Sequence, residues 1–252
     1  MLFSHLRRGL LVGVGGGIAY GIFTLLVVTP LVSLAESFEP GHQGHQEATT
    51  SVVSETTTVV VSVGGGILWG IFLGILTFGA VYYFFEPAIP GVRGTKSYLL
   101  GMAGFITVSG SPWLVLPPLP PGVEQTVPTS ARVLWYVIFA GVGLLACGTA
   151  GYVYNYVRDN RGRLSAYIVA GGPFLILIGV TVVAPENSTS SELPAQFITA
   201  YQGIVAFGQI GLWFILASLH AWMFQRAGPT TERDVSTERP ESFNIRVDDF
   251  DT

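Results

Sequence analysis

The chain has 252 residues, and only 11% of them are charged, although a soluble domain typically carries about 25%. The charges are excluded from six stretches that together contain 147 residues. This pattern excludes a soluble α/β enzyme, and the lack of a basic patch excludes a nucleic-acid-binding protein. The charge-free stretches are 9–32, 59–85, 98–119, 133–157, 164–184 and 197–224.

Each charge-free stretch is long enough to cross a membrane as a helix. A hydrocarbon core of about 30 Å requires about 20 apolar residues, and in lipid the backbone must satisfy its own hydrogen bonds. The sequence therefore predicts an all-α polytopic membrane protein with six transmembrane helices in residues 1–228. Residues 229–252 carry seven acids and three arginines, and this polar composition is typical of a disordered acidic tail.

Basic residues predict the orientation of the helices, because positively charged loops stay in the cytoplasm. The loops 33–58, 120–132 and 185–196 contain only Arg132, whereas the alternate loops and the ends of the helical region contain eight basic residues. Both termini are therefore predicted to be cytoplasmic, and the three poorly basic loops are predicted to lie outside. One of these loops contains a glycosylation sequon at Asn187. The eight basic residues are Arg7, Arg8, Arg93, Lys96, Arg158, Arg161, Arg163 and Arg226.

The N-terminal segment has a second interpretation. The segment resembles a secretory signal with its cleavage site, because Arg7 and Arg8 precede an apolar run that ends at Ser33-Leu34-Ala35. The apolar run is longer than the core of a usual signal, and its removal would break the charge asymmetry between the two sets of loops. We therefore expect the segment to be retained as the first span.

Spans one and two share a local repeat at an offset of 49 residues. Residues 12–23 align with residues 61–72, and both copies place small residues four positions apart. Small residues on one face let membrane helices approach closely, so each span is predicted to have a close helix neighbour, with the other span as the first candidate. Incidental similarity between two Gly- and Val-rich spans is the alternative. The glycines of this predicted packing face are Gly13, Gly17, Gly21, Gly66, Gly70 and Gly74.

Two spans are interrupted by residues that break helices. Proline removes a helix hydrogen bond, and carbonyl groups freed near the bilayer midplane can coordinate an ion. These positions are a candidate ion pathway, and a simple kink is the alternative. They are Ser109, Ser111 and Pro112 in the third span, and Gly171, Gly172 and Pro173 in the fifth.

The spans contain no carboxylate, and their one histidine, His220, lies near the end of span six. No Ser/His/Asp set, carboxylate pair or phosphate-binding loop is present, so the chain is not predicted to be an enzyme or to hold a permanent cofactor. His220 beside Trp222 is typical of the membrane interface, with a metal or gating role as the alternative. The single cysteine, Cys147, is expected to be an apolar packing residue within span four.

The loop after span one is the main candidate for metal binding. It contains Glu36, Glu39, His42 and His45 with no cation among them. Imidazole nitrogen and carboxylate oxygen suit borderline divalent ions such as cobalt, nickel and zinc. A solvated acidic loop with two incidental histidines is the alternative interpretation.

Three groups of residues, in order along the chain, resemble the CbtA family of proposed cobalt transporter subunits. The first runs from Pro30 through Glu36 to Glu39 and is followed by the His-containing loop. The second comprises Gly104-Phe105, Pro112, residues 116–120, Glu124, Ala131-Arg132 and Trp135. The third comprises residues 193–197 and Trp213. The resemblance covers about residues 5–225.

The resemblance implies a multi-span component of cobalt uptake that serves corrinoid synthesis, with cobalt or another divalent cation as substrate. It also implies a partner, a small single-span membrane protein with a His-rich segment, and it favours ion capture by the loop after span one. The fifth span departs from the family, because it lacks the histidine expected there. A non-transporting membrane scaffold that binds a partner through its Gly-rich helix faces is the alternative function.

Overall fold

Helices account for most of the chain that the computed structural model describes, which is residues 2–38 and 55–226. Five of these helices are long and apolar enough to cross a membrane. The predicted all-α polytopic membrane fold is therefore confirmed. Glu39, His42, His45 and the acidic tail 229–252 lie outside the described residues. The five helices are Leu2–Glu36, Val59–Phe85, Thr129–Arg161, Arg163–Val183 and Ala195–Arg226.

The long helices contain regular α-helical parts joined by wider or tighter turns. The α-helices are α1 (Leu2–Phe23), α2 (Thr29–Glu36), α3 (Glu55–Leu73), α4 (Tyr82–Phe85), α5 (Arg93–Phe105), α6 (Thr129–Arg161), α7 (Arg163–Ala170), α8 (Leu175–Val183) and α9 (Ala195–Arg226). The π-helical stretches are Thr24–Val28, Gly74–Val81 and Ile106–Gly110, and the 3-10 turns are Pro112–Leu114 and Gly172–Phe174. Two short strands, β1 (Glu124–Gln125) and β2 (Thr189–Ser190), complete the described elements.

The third predicted span, 98–119, differs from the other five. Its regular helix, α5, ends at Phe105 and continues as the π-helical stretch, in which the Ser111 N–H donates to the Ile106 carbonyl at 2.8 Å. Pro112 then ends the helix, because proline has no N–H and its ring clashes with the preceding turn. Only five described helices therefore meet the length of a spanning helix, and the count of six stays a prediction.

Helix packing follows a single order across the bundle. Helix α3 packs against α1, α1 packs against α9, and α9 packs against α5. The end of α5, with its π-helical stretch, packs against α6, and α7 and α8 also pack against α6. The buried apolar cluster lies where the first four of these helices meet, whereas α6 to α8 expose large apolar side chains over much of their length. The buried cluster consists of Val12, Leu73, Phe78, Tyr82, Leu100, Leu212, Trp213, Leu216 and Ala217.

Candidate metal entry site and polar groups of the bundle

Glu36 occupies the last turn of α2, where its side chain is exposed at one end of the bundle. The next residues are held in place, because the Ser37 hydroxyl donates to the Leu34 carbonyl at 2.6 Å and the Phe38 ring lies 6.1 Å from that of Phe197 at the start of α9. The other three predicted metal ligands lie outside the described residues. Within residues 2–38 and 55–226, no three His, Cys, Asp or Glu side chains lie close enough together to hold a metal ion.

Two of the loops predicted to lie outside are joined to each other. β1 and β2 pair antiparallel, with Glu124 opposite Ser190. The Asn187 amide donates to the Gln125 side-chain oxygen at 2.9 Å, and Thr126 accepts from the Ser188 N–H at 3.1 Å. Loops 120–132 and 185–196 therefore lie at the same end of the molecule, as the predicted alternation of the spans requires.

The opposite end carries the basic residues. Lys96 donates to the Glu86 carbonyl at 2.8 Å, and the Asn155 amide donates to the Ala88 carbonyl at 3.0 Å. The Arg8 guanidinium lies 5.4 Å from the centre of the Phe224 ring. The first two contacts join the loop before α5 to α5 and to the end of α6, and the third joins the start of α1 to the end of α9. The charge pattern assigns all of these segments to the cytoplasm.

The repeated glycines form the contact between α1 and α3. A methyl group added to Gly13 would lie 2.5 Å from the Gly70 carbonyl oxygen, and one added to Gly17 would lie 2.7 Å from that of Gly66. Both distances are far below an ordinary carbon–oxygen contact, so only glycine permits this approach. The same interface also includes Gly9, Gly21 and Gly74.

The arrangement of the two helices follows the symmetry of the repeat. Gly17 and Gly66 occupy equivalent positions of the two copies, and they face each other in the antiparallel pair. Gly13 meets Gly70 on one side of this point, and Gly21 meets Val63 on the other. The repeat thus forms a local two-fold pair whose axis passes between Gly17 and Gly66.

The two predicted breaks lie in different environments. Ser109, Ser111 and Pro112 are buried against α6, where Gly143 leaves room for the Ser111 side chain. The Ser111 hydroxyl is buried and has no hydrogen-bond partner among the described residues. In contrast, Gly171 and Gly172 are exposed on the surface of the monomer, and Pro173 is half-buried. The structure therefore does not bring the two halves of the predicted pathway together around one cavity.

The basic end also contains a polar contact that the sequence did not predict. The His220 Nδ1 atom lies 2.9 Å from the Ser97 hydroxyl, and both residues are completely buried. Because 123 positions separate the two residues, no local pattern indicates the pairing. The only indication of this pairing in the sequence was depth. Ser97 and His220 each lie close to the basic end of their span, and the two spans are antiparallel.

A second buried polar group of α9 has a partner in α1. The Gln209 amide donates to the Tyr20 hydroxyl at 2.8 Å. This bond lies farther from the basic end than the His220 contact does, so it joins the same helix to a different part of the bundle. Gln209 and His220 are both buried polar residues of α9, so a variant of Gln209 can serve as a control for a variant of His220.

The apolar helices and the separation of charge define a multi-pass membrane protein. The model of a family described as "Probable cobalt transporter subunit (CbtA)" matches residues 4–225. The chain therefore belongs to the CbtA family, as the three groups of residues had indicated, and the word subunit implies a partner protein. Comparisons with curated proteins and with solved structures returned no match.

Proposed function

We propose that this chain is the membrane subunit of a divalent metal uptake system with cobalt as its substrate. In this proposal Glu36, Glu39, His42 and His45 capture the ion outside the membrane. The family match carries the assignment to transport. The exposed position of Glu36, at the end of the bundle opposite the basic residues, supports a site for cations there.

The chemistry of this segment suits capture followed by release. Carboxylates attract a hydrated cation, and imidazole nitrogen then provides selectivity for borderline metals over magnesium or calcium. A negatively charged outer segment and a positively charged inner end also produce a field across the protein. That field concentrates cations at the outer end.

Beyond the outer segment, the spans offer the ion no carboxylate. We propose that the buried hydroxyls at the break after α5 contribute to the pathway, because oxygen donors can replace part of the hydration shell of an ion. Ser111 supports this idea, since its buried hydroxyl has no partner among the described residues. Gly171, Gly172 and Pro173 would contribute only if a partner or a second copy enclosed them.

The partner is proposed to be the small single-span protein with a His-rich segment that the family resemblance implies. Such a segment would raise the local concentration of captured ion at the outer end. The glycine faces of α1 and α3 are already filled by each other. A scaffold role, like contact with the proposed partner, would therefore have to use other surfaces of the chain.

The decisive experiment measures uptake of radiolabelled cobalt at limiting concentration, in cells without other cobalt routes. We expect His42→Ala with His45→Ala to lower uptake, because two imidazole ligands are removed. Gln43→Ala with Gln46→Ala is the matched control, since each glutamine directly follows one of the histidines. Equal uptake by the two double variants, at equal protein levels in the membrane, would contradict the ligand role of the histidines.

Reconstitution separates transport from a scaffold role. Proteoliposomes that contain this chain, with and without its partner, should accumulate labelled cobalt in at least one of the two preparations. Accumulation by the chain alone would exclude a scaffold-only function. No accumulation in either preparation, with correctly folded protein, would contradict the proposed transport function.

A further inference from the structure

His220 is completely buried near the basic end, and its neighbours are mostly aromatic. Its exposed fraction is 0%. The imidazole ring lies 4.5 Å from the Tyr82 ring, 5.1 Å from the Phe78 ring and 5.7 Å from the Phe224 ring, measured between ring centres. An ionisable residue within a membrane bundle is costly and usually marks an ion pathway, so this burial requires an explanation.

The two nitrogen atoms of His220 differ in their contacts. Nδ1 is held by the Ser97 hydroxyl, which fixes the orientation of the ring. Nε2 is buried and has no hydrogen-bond partner among the described residues. When Nδ1 donates its proton to Ser97, Nε2 carries a free lone pair. This is the arrangement of a metal-binding histidine, whose second nitrogen is positioned by an oxygen of the outer shell.

A second imidazole lies next to the same aromatic rings. His5, at the start of α1, lies 6.4 Å from the Tyr82 ring and 6.2 Å from the Phe224 ring, and it is half-buried. Tyr82 and Phe224 therefore contact His220 on the interior side and His5 towards the surface. The chain has four histidines, of which two belong to the predicted outer segment and two lie at this opposite end.

We propose that His220 is an intramembrane ligand of the transported divalent cation, which it binds through Nε2 near the inner end of the bundle. The inference rests on the proposed transport function. Ser97 is a positioning residue, and His5 is the next imidazole towards the cytoplasm. Among the described residues, the ionisable groups near the ring are His5 and Arg8, whose guanidinium lies over Phe224. This part of the site therefore carries no negative charge of its own. A site of this kind binds a cation weakly and suits transit rather than storage.

The rival explanation is structural. If Ser97 donates to Nδ1, then Nε2 carries the proton and points it at an aromatic ring, which is a weak but recurrent contact. His220 would then join α5 to α9 without binding a metal. The two explanations differ in whether Nε2 responds to a metal ion, and this response can be observed directly.

The first test uses the full chain in detergent micelles with nitrogen-15-labelled histidine, in the background of His42→Ala and His45→Ala. Only His5 and His220 then remain, and His220→Asn assigns the signals by removing one pair. Zinc serves as the diamagnetic probe. We expect zinc to move the Nε2 signal of His220 while Nδ1 stays bonded to Ser97. An unmoved Nε2 signal in excess zinc, in a protein that remains folded, overturns the proposal.

The second test measures cobalt uptake with the outer histidines intact. His220→Asn removes Nε2 but keeps an amide near the position of Nδ1, and we expect it to lower uptake by at least about tenfold, as for loss of a metal ligand. Gln209→Leu is the matched control, because it removes a different buried polar group from α9. Normal uptake by His220→Asn overturns the proposal.

The two readouts separate this proposal from the transport function on which it rests. If the wild-type system transports cobalt and zinc leaves Nε2 unmoved, the His220 site is wrong and transport stands. If zinc moves Nε2 and the wild-type system transports no cobalt, the proposed transport is wrong and the metal site stands. Ser97→Ala should weaken zinc binding by about tenfold without abolishing it, because the ring loses only its outer-shell support.

Discussion

The contact between α1 and α3 permits a quantitative test by the addition of single methyl groups. Gly17→Ala would place a carbon 2.7 Å from the Gly66 carbonyl oxygen and 2.7 Å from the Ile67 Cα atom. Both are backbone atoms, so no side-chain rotation can relieve the contact. Ordinary van der Waals contact begins at 3.4 Å, which means that the helices must separate locally by about 0.7 Å. A gap of that size forfeits roughly a quarter to a half of the attraction between the facing atoms.

We therefore expect Gly17→Ala to destabilise the fold by about 1–3 kcal/mol, the usual cost of overpacking. Gly65→Ala is the matched control, because it lies in the facing helix and a methyl group there meets nothing within 4 Å. The control should be neutral, or stabilising by up to about 1 kcal/mol through higher helix propensity. The difference between the two variants isolates the interface from the propensity of alanine.

The assay is unfolding by sodium dodecyl sulfate in mixed micelles, followed by tryptophan fluorescence. The double variant Gly17→Ala with Gly66→Ala provides a further check. Because the two positions face each other, their effects should depart from additivity by about 0.5–3 kcal/mol. Equal stability of Gly17→Ala and Gly65→Ala would refute the close approach of these helices.

Three further variants test other parts of the fold. Ser97→Ala should lower the free energy of unfolding by about 1–3 kcal/mol, because it leaves a buried imidazole nitrogen without its partner. The same unfolding assay measures the loss, and an unchanged transition would show that the bond to His220 is absent. Gly104→Ala should destabilise by about 1–3 kcal/mol, because its methyl group meets the Trp213 ring, and a shifted tryptophan emission spectrum should accompany the loss. A single cysteine at Ser190, in a cysteine-free background, should react with an impermeant thiol reagent from outside intact cells, and labelling only after lysis would reverse the predicted orientation.

The sequence predicted the membrane fold well because its signals are local and strong. Charge exclusion over at least about 20 residues follows directly from the thickness of a bilayer, and five predicted spans match long apolar helices to within one residue or lie inside them. The two helices that contain the repeat around Gly17 and Gly66 contact each other in the structure. A small residue at every fourth position implies a close approach whatever the rest of the fold may be.

The contacts between distant helices could not be predicted, because no local pattern in a single sequence shows which residues meet in the folded chain. The contact between Ser97 and His220 joins helices that are distant in the chain, and His220 was assigned to the membrane interface although it is completely buried. Pro173 was a candidate for an ion pathway or a simple kink, and its neighbours Gly171 and Gly172 are exposed in the monomer. The position of a residue along a helix can be counted from the sequence. Which neighbour the residue faces depends on how the helices pack, and the sequence does not show this packing.

The spacing of the glycines limits how α1 and α3 can move past each other. The glycines recur every fourth residue on both helices, which is about one helical turn, or 5.4 Å along the axis. In the observed register each of these glycines lies between two glycines of the facing helix: a methyl group on Gly70 would meet both Gly13 and Gly17, and one on Gly74 would meet both Gly9 and Gly13. Movement along the helix axis would push each glycine towards one of its two partners, whose backbone atoms already lie at contact distance. The interlocked backbones therefore oppose sliding of α1 along α3 and fix the depth of each helix relative to the other.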